Sequence, residues 1–88
     1  MVSFEIILRN SAKKDLRNFD KQDRIRILKA ITKLAHDPFP PHYRKLVDSD
    51  DDYRIRVGDY RVVYEVAVAE RKDTIGYVRH RSQAYRQH

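Results

Sequence analysis

Cysteine is absent from these 88 residues, so neither a disulfide framework nor a cysteine-based zinc site can support a chain this small. The cytosol is the simplest setting for such a chain. No apolar run approaches membrane-spanning length, and Glu5 sits where a signal peptide needs an apolar stretch, so neither secretion nor membrane insertion is expected. Glycine occurs only at positions 58 and 76, too sparsely for a phosphate-cradling loop. A nucleophile elbow, a His-Glu-x-x-His motif and a Cys-His pair are also missing. The histidines, at 36, 42, 80 and 88, lack metal-ligand spacing. Neither a metal nor a cofactor is expected. The length suits one domain, residues 1–88, with a single two-layer core and no linker.

Positive charge, by contrast, is abundant. Lysine and arginine number 19 against 13 acids, giving a net charge of +6 and a pI near 9.8. Such a balance favours a polyanionic partner, nucleic acid or an acidic protein.

The most informative stretch is Tyr53-Arg54-Ile55-Arg56-Val57-Gly58-Asp59-Tyr60-Arg61-Val62-Val63-Tyr64. Alternating runs rich in Tyr, Ile and Val flank Gly58-Asp59, which suits a two-residue hairpin turn because glycine at the first central position accepts φ > 0. That turn sets Val57 opposite Tyr60, Arg56 opposite Arg61, Ile55 opposite Val62, Arg54 opposite Val63 and Tyr53 opposite Tyr64. One face is then apolar and the other carries three arginines. Packing alone does not choose this: two cations about 5 Å apart repel by roughly 1 kcal/mol in water and about 3 kcal/mol at an effective dielectric near 20. The arrangement suggests a place for an anion.

Elsewhere the pattern predicts β-α-α-β-β-β-β, an α+β fold. Phe4 to Leu8 reads as a first strand, central or near-central in the sheet. Asn10 or Ser11 caps a short helix with Ala12, Leu16 and Phe19 inward and Lys13, Lys14 and Arg17 outward. Asp20 caps a second helix, with Asp23 in its first turn and an apolar stripe of Ile27, Leu28, Ile31, Leu34 and Ala35. Pro38 and Pro40-Pro41 then impose a stiff loop from Asp37 to His42. Tyr43 to Val47 is predicted to be a strand, and Asp48-Ser49-Asp50-Asp51-Asp52 a solvated turn without the spacing of a calcium loop. After the hairpin, which runs to Val66 or Val68, Glu70-Arg71-Lys72-Asp73 turns the chain and Thr74 to Arg81 forms the last strand. A helical hairpin inserted after the first strand covers the apolar sheet face and leaves the arginine face open.

Arg54, Arg56 and Arg61 are joined by Arg79, Arg81 and Tyr85. Strand alternation sends Arg79 and Arg81 to one side and His80 to the other, which makes His80 a core histidine rather than a catalytic one. Salt bridges to Asp48, Asp50 to Asp52, Asp59 and Glu65 are the competing use of the arginines. The acids lie at turns and the arginines mid-strand, which leaves phosphate binding ahead. Arginine's planar fork holds phosphate oxygens in two bonds at once but is a poor base. Tyr85 can stack on a base or exchange a proton.

The hairpin string at 53–64, with Val78-Arg79-His80-Arg81 and Tyr85 downstream, resembles the RelE branch of the RelE/ParE toxin superfamily along nearly the whole chain. The resemblance implies a microbial-RNase-like fold, with a two-helix hairpin on one face of an antiparallel-dominated twisted sheet. It also implies a type II toxin that enters the ribosomal A site and cuts mRNA, the 2′-hydroxyl attacking the neighbouring phosphate to leave a cyclic phosphate and a 5′-hydroxyl. Carried over by position, Arg54 and Arg56 match the two basic residues before the turn, which are often lysines in relatives, and Arg61 matches the arginine after it. The late arginine falls at Arg79 or Arg81, and Tyr85 matches the late tyrosine. Arg56, Arg61, Arg79, Arg81 and Tyr85 are thus the expected catalytic group, and Arg54, Lys13, Lys14, Arg17 and Lys45 the expected RNA and ribosome contacts. Arginine at 54 and 56 stabilises phosphorane charge but does not take a proton, so the general base is unassigned. The implied partners are a RelB-like antitoxin, the ribosome and mRNA. The alternatives are a ParE-like inhibitor of DNA gyrase, acting through protein contacts, and a non-catalytic module that binds RNA or its antitoxin.

Overall fold

A computed structural model describes residues 3–46 and 52–84, with only the backbone described at 83 and 84. The chain runs β1 (Glu5–Leu8), α1 (Asn10–Arg17), α2 (Lys21–Lys33), β2 (Arg44–Lys45), β3 (Asp52–Val57), β4 (Tyr60–Ala67), β5 (Lys72–His80) and α3 (Arg81–Ala84). The strands form one sheet in the order β1-β5-β4-β3-β2, antiparallel except for β1 and β5. The expected α+β order is present, with α3 added at its end.

The hairpin register is the one read from the turn. Val57 pairs with Tyr60, Arg56 with Arg61, Ile55 with Val62, Arg54 with Val63 and Tyr53 with Tyr64. Gly58 has φ +59°, the left-handed conformation that the first turn position requires. A side chain there would also meet the guanidinium of Arg26. On the covered face, Ile55, Val62, Tyr64, Val66, Ile75 and Val78 meet Ala12 and Leu16 of α1 and Ile27, Ile31 and Leu34 from α2 and its C-cap. Each large apolar side chain fully buried there contributes about 1.5–3 kcal/mol.

Several local expectations are corrected. β1 lies at the sheet edge, not near its centre, because β5 returns beside it in parallel and the β2–β5 meander occupies the rest of the sheet. Neither Asn10 nor Ser11 caps α1: Arg9 holds the N-cap, and the Ser11 hydroxyl bonds instead to the Gly76 carbonyl, tying the helix to β5. Asp20 is the N-cap of α2 but makes no side-chain cap bond. Leu28 is exposed beside Ile25, since a helix that turns Ile27 and Ile31 onto the sheet carries residue 28 about 100° away. The strand after the proline loop is only Arg44–Lys45. Asp52 opens β3 opposite Glu65 instead of closing a turn, while Val47 and the acidic run 48–51 lie outside the described residues.

The largest correction concerns Asp73. The turn between β4 and β5 is confined to residues 68–71, with Arg71 at φ +55° and its N–H bonded to the Val68 carbonyl, so the strand begins at Lys72. Asp73 therefore pairs with Val66 and Ile6 and is fully buried.

Candidate functional site

Alternation across the register builds two rows on the open face. Arg56, Arg61 and Arg79 lie side by side on β3, β4 and β5. The adjoining row is Arg44, Arg54, Val63 and Tyr77, from β2 to β5. Val63 is buried between these long side chains, an apolar floor under a charged surface. His42, Arg44, Arg54, Ile55, Arg56 and Arg61 enclose a concavity of about 290 Å³. Among the described residues, Arg44, Arg56 and Arg61 form no salt bridge. Four guanidiniums around one hollow repel one another, and an entering phosphate relieves that repulsion while accepting bidentate hydrogen bonds.

Of the carboxylates expected to neutralise the arginines, Asp48, Asp50 and Asp51 lie outside the described residues, while Glu65 and Asp59 are engaged elsewhere or only at the margin. Glu65 pairs with Arg9 at 3.9 Å. Asp59 pairs with Arg81 at 3.9 Å, both exposed at the hairpin tip, where such a pair contributes at most about 1 kcal/mol. Asp15 on α1 accepts the Val78 backbone N–H at 3.0 Å and lies 3.8 Å from Arg79, whose guanidinium rests over the Tyr77 ring at 4.8 Å.

The two late arginines are therefore placed differently. Arg79 belongs to the strand row but is held by Asp15 and Tyr77. Arg81 is not in the strand: β5 ends at His80, and Arg81 opens α3 with its N–H bonded to the Asp59 carbonyl at 2.7 Å. This brings Arg81 into a small crevice with Arg56 and Arg61. Tyr85 lies outside the described residues.

His80 faces the helix layer, as alternation predicts, but at its margin and only half-buried. Its ring meets Tyr60 edge-on at 5.3 Å, and its Nδ1 accepts the Ser82 backbone N–H at 3.2 Å beside the Ser82 hydroxyl. Tyr60 in turn packs on Phe19 and donates its hydroxyl to Asp23 at 3.0 Å; burial, then the Asp23 carboxylate, raises its pKa.

The remaining expected contacts do not join the arginine pocket. Lys13, Lys14 and Arg17 are exposed on α1, in the helix layer on the opposite side of the sheet. Lys45 pairs with Tyr53 and so shares the covered face's side; Arg44, one residue earlier, is the β2 residue that reaches the pocket. Sequence reasoning missed Arg44 and His42, although their two-residue spacing is that of side chains sharing one face of an extended chain.

The segment bearing them is fixed from beneath by aromatics. Phe39 contacts Tyr43 at 5.3 Å and Tyr53 at 5.0 Å, Tyr43 contacts Tyr53 at 5.8 Å, and the buried Tyr64 hydroxyl donates to the Pro38 carbonyl at 2.7 Å. Burial pushes the Tyr64 pKa up. The Asp37 carboxylate also accepts the Phe39 N–H at 3.0 Å, and the Tyr43 N–H bonds to the Pro40 carbonyl at 2.9 Å. A second hollow of about 550 Å³ lies between α2 and β3, with Ala30, Leu34, Ile55 and Val57 at its base and Arg26, Lys29 and Lys33 along its rim.

A helix layer on one side of the sheet and a pocket of like-charged side chains on the other define a small α+β domain with a cationic face. The sequence matches the family model of the ParE toxin of the type II toxin-antitoxin system, parDE, over residues 6–85, so the chain belongs to that family, a toxin of the RelE/ParE superfamily. In architecture it is similar to the toxin in the archaeal RelE-RelB complex from Pyrococcus horikoshii OT3, with 27% identity, 94% of this chain and 99% of that chain covered, and a TM-score of 0.81. It is also similar to a chain of the toxin-antitoxin complex RelBE2 from Mycobacterium tuberculosis, with 18% identity, 90% and 99% coverage and a TM-score of 0.80. The isolated E. coli RelE toxin matches at 21% identity, 93% and 95% coverage and a TM-score of 0.77. Comparison with curated protein sequences gives no match. Among the described residues, no helix is long and apolar enough to cross a membrane, and no group of His, Cys, Asp or Glu is arranged to hold a metal ion.

Proposed function

We propose that this toxin is a ribosome-dependent endoribonuclease that cuts mRNA in the ribosomal A site and so stops translation. The observation that carries this reading is the pocket lined by Arg44, Arg54, Arg56 and Arg61, with Arg81 at its edge. The 2′-hydroxyl attacks the adjacent phosphorus and the bond to the 5′-oxygen breaks, giving a cyclic phosphate and a 5′-hydroxyl. Arg61 and Arg56 stabilise the charge that develops on the phosphorane oxygens, Arg81 and Arg79 assist from the end of β5, and Tyr85 stacks on a base or exchanges a proton. Arg54 and Arg44 hold the flanking backbone. Lys13, Lys14, Arg17 and Lys45 contact the ribosome from outside the pocket.

A RelB-like antitoxin is the partner that restrains it. The P. horikoshii and M. tuberculosis relatives occur as complexes with their antitoxins, and a net charge of +6 suits an acidic, amphipathic segment laid across the basic face. This reading places the protein in the cytoplasm.

The description of the matching family favours a second reading, an inhibitor of DNA gyrase acting through protein contacts. Incubating the protein with translating ribosomes and mapping mRNA ends, beside a gyrase supercoiling assay, separates the two. New ends within the A-site codon and unimpaired supercoiling are expected. Intact mRNA with supercoiling blocked would establish the gyrase reading instead.

A further inference from the structure

The arginines leave the proposed reaction without a proton acceptor, since a guanidinium stays protonated at any physiological pH. Among the described residues lining the arginine pocket, His42 is the one whose side chain offers a nitrogen lone pair to a proton. It also lines the neighbouring hollow between α2 and β3, so it stands on the divide between the two. Its ring makes no hydrogen bond or ion pair with any other described residue. The backbone carrying it is nonetheless fixed, by Pro40-Pro41, by the Tyr43 N–H bond to the Pro40 carbonyl and by the packing of Tyr43 on Phe39 and Tyr53. A ring with open nitrogens on a stiff backbone beside a phosphate-binding hollow has the placement of a general base.

We propose that His42 is the general base of RNA cleavage, taking the 2′-hydroxyl proton of a ribonucleotide whose scissile phosphate is held by Arg56 and Arg61. This inference rests on the endoribonuclease reading. As the proton passes to an imidazole nitrogen, the 2′-oxygen forms its bond to phosphorus and the bond to the 5′-oxygen breaks with its electron pair. The departing oxygen takes a proton from water, and the imidazolium returns its proton to solvent. The charged groups facing His42 in the pocket are Arg44, Arg54, Arg56 and Arg61. Those facing it across the hollow are Arg26, Lys29 and Lys33 from α2, with Asp37 from the loop.

The test is single-turnover cleavage on saturating programmed ribosomes, measured against pH for the parental protein, His42→Ala and His42→Gln. His42 is exposed, so both variants are expected to keep the parental melting temperature. A proton transfer of this kind typically contributes about 100-fold to 10,000-fold, and a loss in that range is expected in both variants. The parental rate is expected to rise with pH through an inflection that both variants lack, and added imidazole is expected to restore part of the His42→Ala rate. Parental cleavage with undiminished variants, or diminished variants that keep the inflection, would overturn the assignment of His42 alone. Failure of the parental protein to cleave A-site mRNA would overturn the endoribonuclease reading and this inference with it.

Discussion

The two faces of the sheet depart from neutral packing in opposite ways. The buried core of the covered face is, among the described residues, apolar except for one carboxylate: Asp73 is fully buried, and neither of its oxygens has a hydrogen-bond partner among the described residues. The open face crowds cations together, with Arg56 opposite Arg61 and Arg44 opposite Arg54. A buried acid with no partner escapes its penalty by binding a proton, and burial pushes the Asp73 pKa up to about 7. Arginine has no such escape, because it does not deprotonate. Crowded charge is thus relieved by protonation on one face, whereas on the other it stays in place as a cationic surface.

The covered face is broken most severely by opening a cavity in it. Ile31 is 2% exposed and sits among α2, α1 and the sheet, so Ile31→Ala should cost about 2–5 kcal/mol in denaturant unfolding. Chemistry on saturated ribosomes should stay near parental for the fraction that is folded. A loss under 1 kcal/mol would mean that α2 is not part of the stabilising core.

Asp73→Asn sharpens the comparison, because the amide imitates the protonated acid. The folded-state pKa lies above the ordinary carboxylate value, so the native state binds the proton more tightly than the unfolded chain does. The stability contributed by that proton is complete below about pH 4, falls as pH rises toward about 7 and is constant above it. The stability of Asp73→Asn relative to the parental protein should rise through this window and then level off. One pKa unit corresponds to about 1.4 kcal/mol, which bounds the change at a few kcal/mol. A difference independent of pH would show that the carboxyl does not titrate there.

On the open face, Arg44→Ala should have a smaller effect, confined to binding. Losing one phosphate contact lowers the slope of log affinity against log salt for single-stranded RNA by about 0.7, with the saturated cleavage rate changed less than tenfold. A rate loss of a hundredfold at saturation would move Arg44 into the chemistry.

What the sequence made legible follows from how local each signal was. The hairpin register needed only the alternation at 53–64 and the Gly58 turn, and every pair in it stands in the structure. Ile27 and Ile31 were equally plain from their helical spacing. The edge position of β1 was hidden because its partner β5 lies more than sixty residues away, and no periodicity reports a parallel pairing at that distance. Asp73 was hidden because an aspartate beside Arg71 and Lys72 has the composition of a turn, and only the tertiary register carries it inside. Arg44 and His42 escaped because the proline loop breaks the pattern just before them, so their shared face shows only once Arg44 is paired with Arg54.

Arg61→Ala probes the meaning of the arginine face most directly, because stability and activity should move in opposite directions. Arg61 sits between Arg56 and Arg79 in the row, so removing it relieves like-charge repulsion and should leave the unfolding free energy unchanged or slightly raised. Single-turnover cleavage on saturating programmed ribosomes should nonetheless fall about a hundredfold to a thousandfold, the usual effect of losing one preorganised donor to a transition-state oxyanion. A variant that is clearly less stable, or one that cleaves at the parental rate once saturated, would contradict the reading of this face as a charged site held open for a reacting phosphate.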